Sequence, residues 1–246
     1  MSFRSCLGGA VVSAMVLAGA GAFANEPLVK ADGFPGEFSA NVSLTNEYFF
    51  RGISQSDDQP AIQGGFDYDV GLADGVGVYA GVWGSNVNFT DAVLELDWYG
   101  GLKGEVKGFS WSAGFIYYYY PGTDSALNYD FWEAAFSLGY DFGVAAVTAG
   151  VNYSPNYFAD SGNATYYSLG VDVPVGKYLT LHGTVGKQDI QKNANFGTPD
   201  YVDYSVGASV NLVGFDVKLA YTDTDMKKSE CDDLCGAVVL SVSRSF

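Results

Sequence analysis

Charge is scarce in this sequence, and positive charge is scarcest. Charged residues make up 16% of the 246, with 12 Lys and Arg against 28 Asp and Glu and a formal net charge of −16. A nucleic-acid partner demands a basic face for its phosphates, so that class is excluded. The single histidine, His182, excludes a multi-histidine metal site. No segment carries a sustained helical period. Past residue 24 nothing approaches 18 continuous apolar residues, so no transmembrane helix is expected. What remains is rich in glycine and aromatics: 32 Gly, 18 Tyr and 17 Phe, with 48% hydrophobic residues overall. Glycine is about double its average usage but follows no strict three-residue repeat, which excludes collagen. The apolar fraction excludes a disordered chain. The composition suits many short strands with tight turns in one large all-β domain.

The first residues read as processing signal. Arg4 precedes the small-residue apolar run from Leu7 to Ala22, and Ala22-Phe23-Ala24 is an A-x-A cleavage pattern. Residues 1–24 are therefore expected to be a cleaved signal peptide; the run is short for an anchor and lacks basic flanks. Cys6 leaves with it, so two cysteines remain, Cys231 and Cys235.

From Phe38 onward, alternating runs recur: 38–50, 60–70, 76–86, 93–103, 109–120, 130–141, 145–155, 164–174, 178–188, 201–212, 215–223 and 237–246. Each has the length that a tilted strand needs to cross a bilayer. The connections alternate too. Those around 52–59, 86–91, 121–129, 156–163, 189–200 and 224–236 are longer and polar, and those at 71–75, 104–108, 142–143, 175–177 and 213–214 are tight. Outer-membrane barrels have short periplasmic turns and longer extracellular loops, so this parity puts both chain ends in the periplasm. The expectation is a twelve-stranded antiparallel transmembrane β-barrel over residues 37–246, after a short periplasmic lead at 25–36.

Each run sorts its side chains by period two. Ala40, Val42, Leu44, Tyr48 and Phe50 share one face, against Ser39, Asn41, Ser43, Thr45, Glu47 and Arg51. Leu94, Leu96 and Trp98 oppose Glu95 and Asp97, and Phe215, Val217, Leu219 and Tyr221 oppose Asp216 and Lys218. Lys or Arg against lipid at mid-bilayer costs about 2–4 kcal/mol, so the polar face must look inward. Aromatics such as Phe109, Tyr117, Tyr119, Tyr140, Tyr153 and Tyr178 near run ends match interfacial girdles. A soluble sandwich explains the alternation equally well, but neither the loop parity nor the girdles. The chain ends on an alternating strand closing in Phe246, which resembles the signal that the barrel-assembly machinery reads.

The inward faces carry the candidate pore lining: Glu47, Arg51, Asp67, Asp69, Glu95, Asp97, Glu133, Asp172, His182, Asp203 and Lys218, with Asp216 besides. Lys103 and Lys187 sit near the rims. Carboxylates outnumber bases, so most cannot be paired, and water in the lumen is the simpler resolution. Carboxylate-lined pores favour cations. Tyr79, Trp83, Tyr118 and Tyr120 also fall inward, to narrow the bore, stack a ring-shaped solute or fill space. Cys231 and Cys235 are expected to form a local disulfide in the last long loop, because exported chains keep disulfides and no further Cys or His completes a metal site. A serine–histidine pair acting on lipid would need to face the outer wall, and His182 falls on the other side.

The stretch Asn41-Val42-Ser43-Leu44-Thr45-Asn46-Glu47-Tyr48-Phe49-Phe50-Arg51-Gly52-Ile53-Ser54-Gln55-Ser56 resembles the opening of the TorF-like outer-membrane porins. So do Pro60 to Tyr68, Tyr79 to Asn86, Glu95 to Gly101 and Tyr119 to Gly122, so the likeness is densest from 41 to 122. It implies an outer-membrane barrel of Gram-negative bacteria with a porin role, and it brings no catalytic residues. The expectation is a channel for passive diffusion of small hydrophilic solutes, preferring cations. It has no cofactor, no enzymatic activity and no nucleic-acid partner. Its rivals are a structural or adhesive barrel with an occluded lumen and a barrel lipid hydrolase.

Overall fold

The structure is a computed structural model, and it describes residues 35–73 and 75–246. The expected signal peptide at 1–24 lies outside the described residues, as does the expected lead at 25–36 apart from Pro35 and Gly36. Fourteen strands are present among the described residues: β1 (Glu37–Thr45), β2 (Phe49–Phe50), β3 (Ile53–Ser54), β4 (Ala61–Ala73), β5 (Val76–Phe89), β6 (Ala92–Val106), β7 (Phe109–Tyr119), β8 (Phe131–Asp141), β9 (Ala146–Ser154), β10 (Ala164–Val175), β11 (Leu179–Ile190), β12 (Tyr201–Leu212), β13 (Phe215–Thr224) and β14 (Ala237–Ser245). Twelve of them close an antiparallel barrel, and β2 and β3 form a small ribbon in the first loop.

Closure comes from β1, which pairs with β4 on one side and β14 on the other, setting Val42 opposite Arg244. A closed barrel has no free edge, so every strand can satisfy its backbone polar groups inside a membrane. The outer surface is apolar: Ile62, Phe66, Val206 and Leu219 are all more than half exposed. No helix among the described residues is long and apolar enough to cross a membrane. The apolar wall and the closed ladder together make this an outer-membrane-type barrel, embedded by its strands. Arg244, on the outer face, lies over the rings of Phe215 and Phe246 at 5.1 and 5.2 Å. That contact shields its charge at the rim.

Two local expectations are corrected. The first run ends at Thr45 and not at residue 50, because the chain turns inward there. Arg51 and Gly52 have φ of 48° and 78°, a left-handed pair that reverses direction and that glycine tolerates without a Cβ penalty. The expected loop at 86–91 is instead a tight turn of Thr90 and Asp91. The strands continue through Val87 and Ala92, which are buried inside, and an irregularity in the register lies between Asn86 and Phe89. The polar residues Asn86, Asn88 and Thr90 resemble a loop in sequence, yet the ladder absorbs them. The other long connections, at 46–60, 120–130, 155–163, 191–200 and 225–236, share the extracellular end.

The candidate lumen site

The barrel interior divides into two polar levels. The upper one, toward the long loops, is built around the first loop. This loop crosses from β1 and sends Arg51 into the lumen. The Arg51 guanidinium donates to Glu133 Oε2 on β8 at 2.6 Å and to Gln188 Oε1 on β11 at 2.8 Å. Its face lies 4.2 Å from the Tyr166 ring and 4.7 Å from Phe50. The side chains of Arg51 and Glu133 are 0% and 1% exposed. Glu133 also accepts from Asn152 Nδ2 at 3.0 Å and from the Tyr118 hydroxyl at 3.3 Å. Arginine suits this place because its planar fork serves two acceptors and stacks on rings at once.

Beside this pair, Glu95 accepts from the Tyr48 hydroxyl at 2.8 Å and the Tyr120 hydroxyl at 2.7 Å. Tyr166 donates to Asp203 at 3.2 Å. Gly186 makes that contact possible, since a Cβ there would collide with the Tyr166 hydroxyl. Asp97 and Asp203 each keep one buried oxygen without a partner. Above them Phe89 at the end of β5 and Tyr120, Tyr129, Tyr157, Phe158 and Phe196 from the loops pack into an aromatic cap, with Tyr129 stacked on Phe158 at 4.3 Å. Burial raises the Tyr157 hydroxyl well above its ordinary pKa, so it remains a neutral member of the cap.

The lower level lies toward the short turns and is wetter. Tyr99 donates to Asp67 at 2.5 Å, and Lys103 pairs with Asp69. On the other wall, His182 Nδ1 is 2.7 Å from Asp172 Oδ1, and its Nε2 is 2.8 Å from Ser209 Oγ. Lys218 and Asp216 are close by on β13.

Of the residues expected to line a pore, Asp67, Asp69, Glu95, Asp97, Glu133, Asp172, His182, Asp203 and Lys218 lie on inward-facing strand positions. Glu47 and Arg51 are inside as well, but they come from a loop and not from a strand. Tyr48 and Phe50, expected to face lipid, turn inward with that loop; Tyr48 is buried. Lys187, expected to face inward near a rim, faces outward and pairs with Asp189 at 2.8 Å. The expectation that water satisfies the unpaired carboxylates does not extend to the upper level. Glu95 and Glu133 are buried and satisfied by tyrosine hydroxyls, arginine and amide, which alternation along single strands cannot reveal. Cys231 and Cys235 are bridged in the last long loop. Among the described residues, no group of three or more His, Cys, Asp or Glu is placed to hold a metal ion.

A model described as a bacterial protein family of unknown function (Gcw_chp) matches residues 30–246. No curated protein matches the chain by sequence. Among solved structures, the fold is similar to an outer-membrane channel from Pseudomonas putida F1, at TM-score 0.52 and 11% identity, covering 89% of this chain and 100% of that one. It is similar to the KdgM porin at 0.54 and 9%, covering 85% and 99%. It is also similar to the NanC porin at 0.54 and 8%, covering 83% and 97%. At these identities the likeness speaks for the fold.

Proposed function

The chain belongs to the Gcw_chp family, and from that premise we propose that it is a porin-like outer-membrane channel that passes small hydrophilic solutes passively and prefers cations. The observation that carries this reading is the charge inside the barrel. Asp67, Asp69, Glu95, Asp97, Glu133, Asp172, Asp203 and Asp216 face inward, against Arg51, Lys103 and Lys218. An interior negative field attracts cations and repels anions. The resemblance of residues 41–122 to TorF-like porins supports the porin part of this reading. One KdgM structure is described as a complex with oligogalacturonate, a polyanion. The acidic interior here suits cargo of the opposite sign. Delivery to the outer membrane runs through the assembly machinery and the terminal strand closing in Phe246.

Conduction requires the first loop to withdraw Arg51 from Glu133, because the aromatic cap and this pair fill the upper lumen. That same packing favours a second reading, a structural barrel that stays closed. A lipid hydrolase is disfavoured, since His182 points away from the lipid. The deciding experiment is single-channel recording of folded protein in a planar bilayer under a salt gradient. Discrete steps with a cation-selective reversal potential support the channel. Silence from folded, inserted protein supports the closed barrel. Changing Asp67, Glu95, Asp97 and Glu133 to their amides lowers cation preference; selectivity unmoved by these changes refutes the assigned field.

A further inference from the structure

The lower lumen holds three residues from three adjacent strands in a particular order. Asp172 on β10 sits directly opposite His182 on β11, and Ser209 on β12 is displaced from the His182 partner Gly207 by one inward-facing position. The carboxylate meets Nδ1 at 2.7 Å and the hydroxyl meets Nε2 at 2.8 Å. This is the arrangement in which a carboxylate fixes the imidazole tautomer and the imidazole takes a proton from the serine. A polar lumen needs its groups satisfied, but satisfaction alone requires neither that order nor both ring nitrogens in one chain. Lys218 is directly opposite Ser209 across β12–β13, where it interacts electrostatically with Asp172 and Asp216. Water reaches the site at Asp172, whose side chain is 49% exposed, while His182 is 13% exposed and Ser209 is buried.

We propose that Ser209 is a nucleophile, activated by His182 and positioned through Asp172, that hydrolyses small carboxylic esters entering from the periplasmic mouth. Ser209 Oγ attacks the acyl carbonyl carbon while its proton passes to His182 Nε2. The Lys218 ammonium faces the negative charge that gathers on the carbonyl oxygen. The carbon–oxygen bond to the alcohol breaks, and the alcohol leaves with the proton from His182. Water then attacks the acyl-serine while its proton passes to His182 Nε2, the acyl carbon–Ser209 Oγ bond breaks, Oγ takes that proton back from His182, and the carboxylic acid departs. Ser209 and His182 are the catalytic residues, and Asp172 acts through His182.

The test uses the purified full chain in detergent, with folding checked by heat-dependent gel migration. A fluorophosphonate probe and p-nitrophenyl acetate are the reagents, so the result does not depend on conductance. The expected outcome is one adduct, on Ser209, and ester hydrolysis lost in Ser209→Ala. His182→Gln slows both reactions by ~100-fold or more, the ordinary contribution of a general base. Asp172→Asn slows them and Asp172→Glu restores them, which a merely structural carboxylate would not do. Folded protein that takes no adduct overturns the proposal. So does an adduct at another residue, or one indifferent to His182→Gln.

Discussion

Arg51 and Glu133 meet at 2.6 Å inside the barrel although 82 residues separate them in the chain. One comes from a loop and the other from the far wall, and water reaches neither. The pair ties the first loop across the lumen and makes the upper half of the barrel a packed core rather than an open bore.

Breaking that pair on one side is therefore costly. Arg51→Ala strands a buried carboxylate, and removing one partner of such a pair typically costs about 3–5 kcal/mol. Urea unfolding from lipid vesicles should show a loss of that size. Arg51→Met combined with Glu133→Leu should recover much of it, because the stranded charge is gone. If the loop is the closure, Arg51→Ala also raises single-channel open probability; a loss of stability with no change in conductance separates the plug from the gate.

The outer wall tolerates charge poorly. Leu219 is in the middle of β13 and more than half exposed on the outside. Leu219→Arg should cost roughly 2–4 kcal/mol in the same vesicle titration, the figure for a cation near the bilayer midplane. Ser209, in register with Lys218 on the inner face, should accept a polar exchange such as Ser209→Thr at far smaller cost. Equal penalties on the two faces would contradict the assignment of inside and outside.

The Cys231–Cys235 bridge closes a very short loop. Loop-closure stabilisation shrinks with the number of residues enclosed, and even a 15-residue loop gives only about 3 kcal/mol. Reduction should leave barrel migration on gels unchanged and disturb only the last extracellular loop, read by limited proteolysis between β13 and β14. A barrel that fails to fold when reduced would mean that the bridge acts on assembly.

Gly186 underlies the Tyr166–Asp203 contact. Gly186→Ala should displace the Tyr166 ring from above Arg51, lowering the unfolding midpoint by more than an alanine placed at Gly183, where a methyl group meets open space. Comparable effects at both positions would refute the packing argument.

The alternation itself determined most of the fold. Runs such as 201–212 and 109–120 required only a period of two, turn residues and the cost of charge in lipid, all of which are local. Twelve strands and which face looks inward follow from those local rules. The polar faces accordingly brought Asp172, His182 and Ser209 to the interior one strand at a time. Only closure of the barrel decided that the three touch, since register between β10, β11 and β12 is a relation between strands. The first loop lay further from reach. Glu47 to Arg51 alternates like a strand, yet the chain leaves the wall after Thr45, and the left-handed pair at Arg51 and Gly52 closes the β2–β3 ribbon that carries Arg51 to Glu133 on the opposite wall. A buried ion pair depends on both partners arriving at one place, and no single stretch of sequence carries that information.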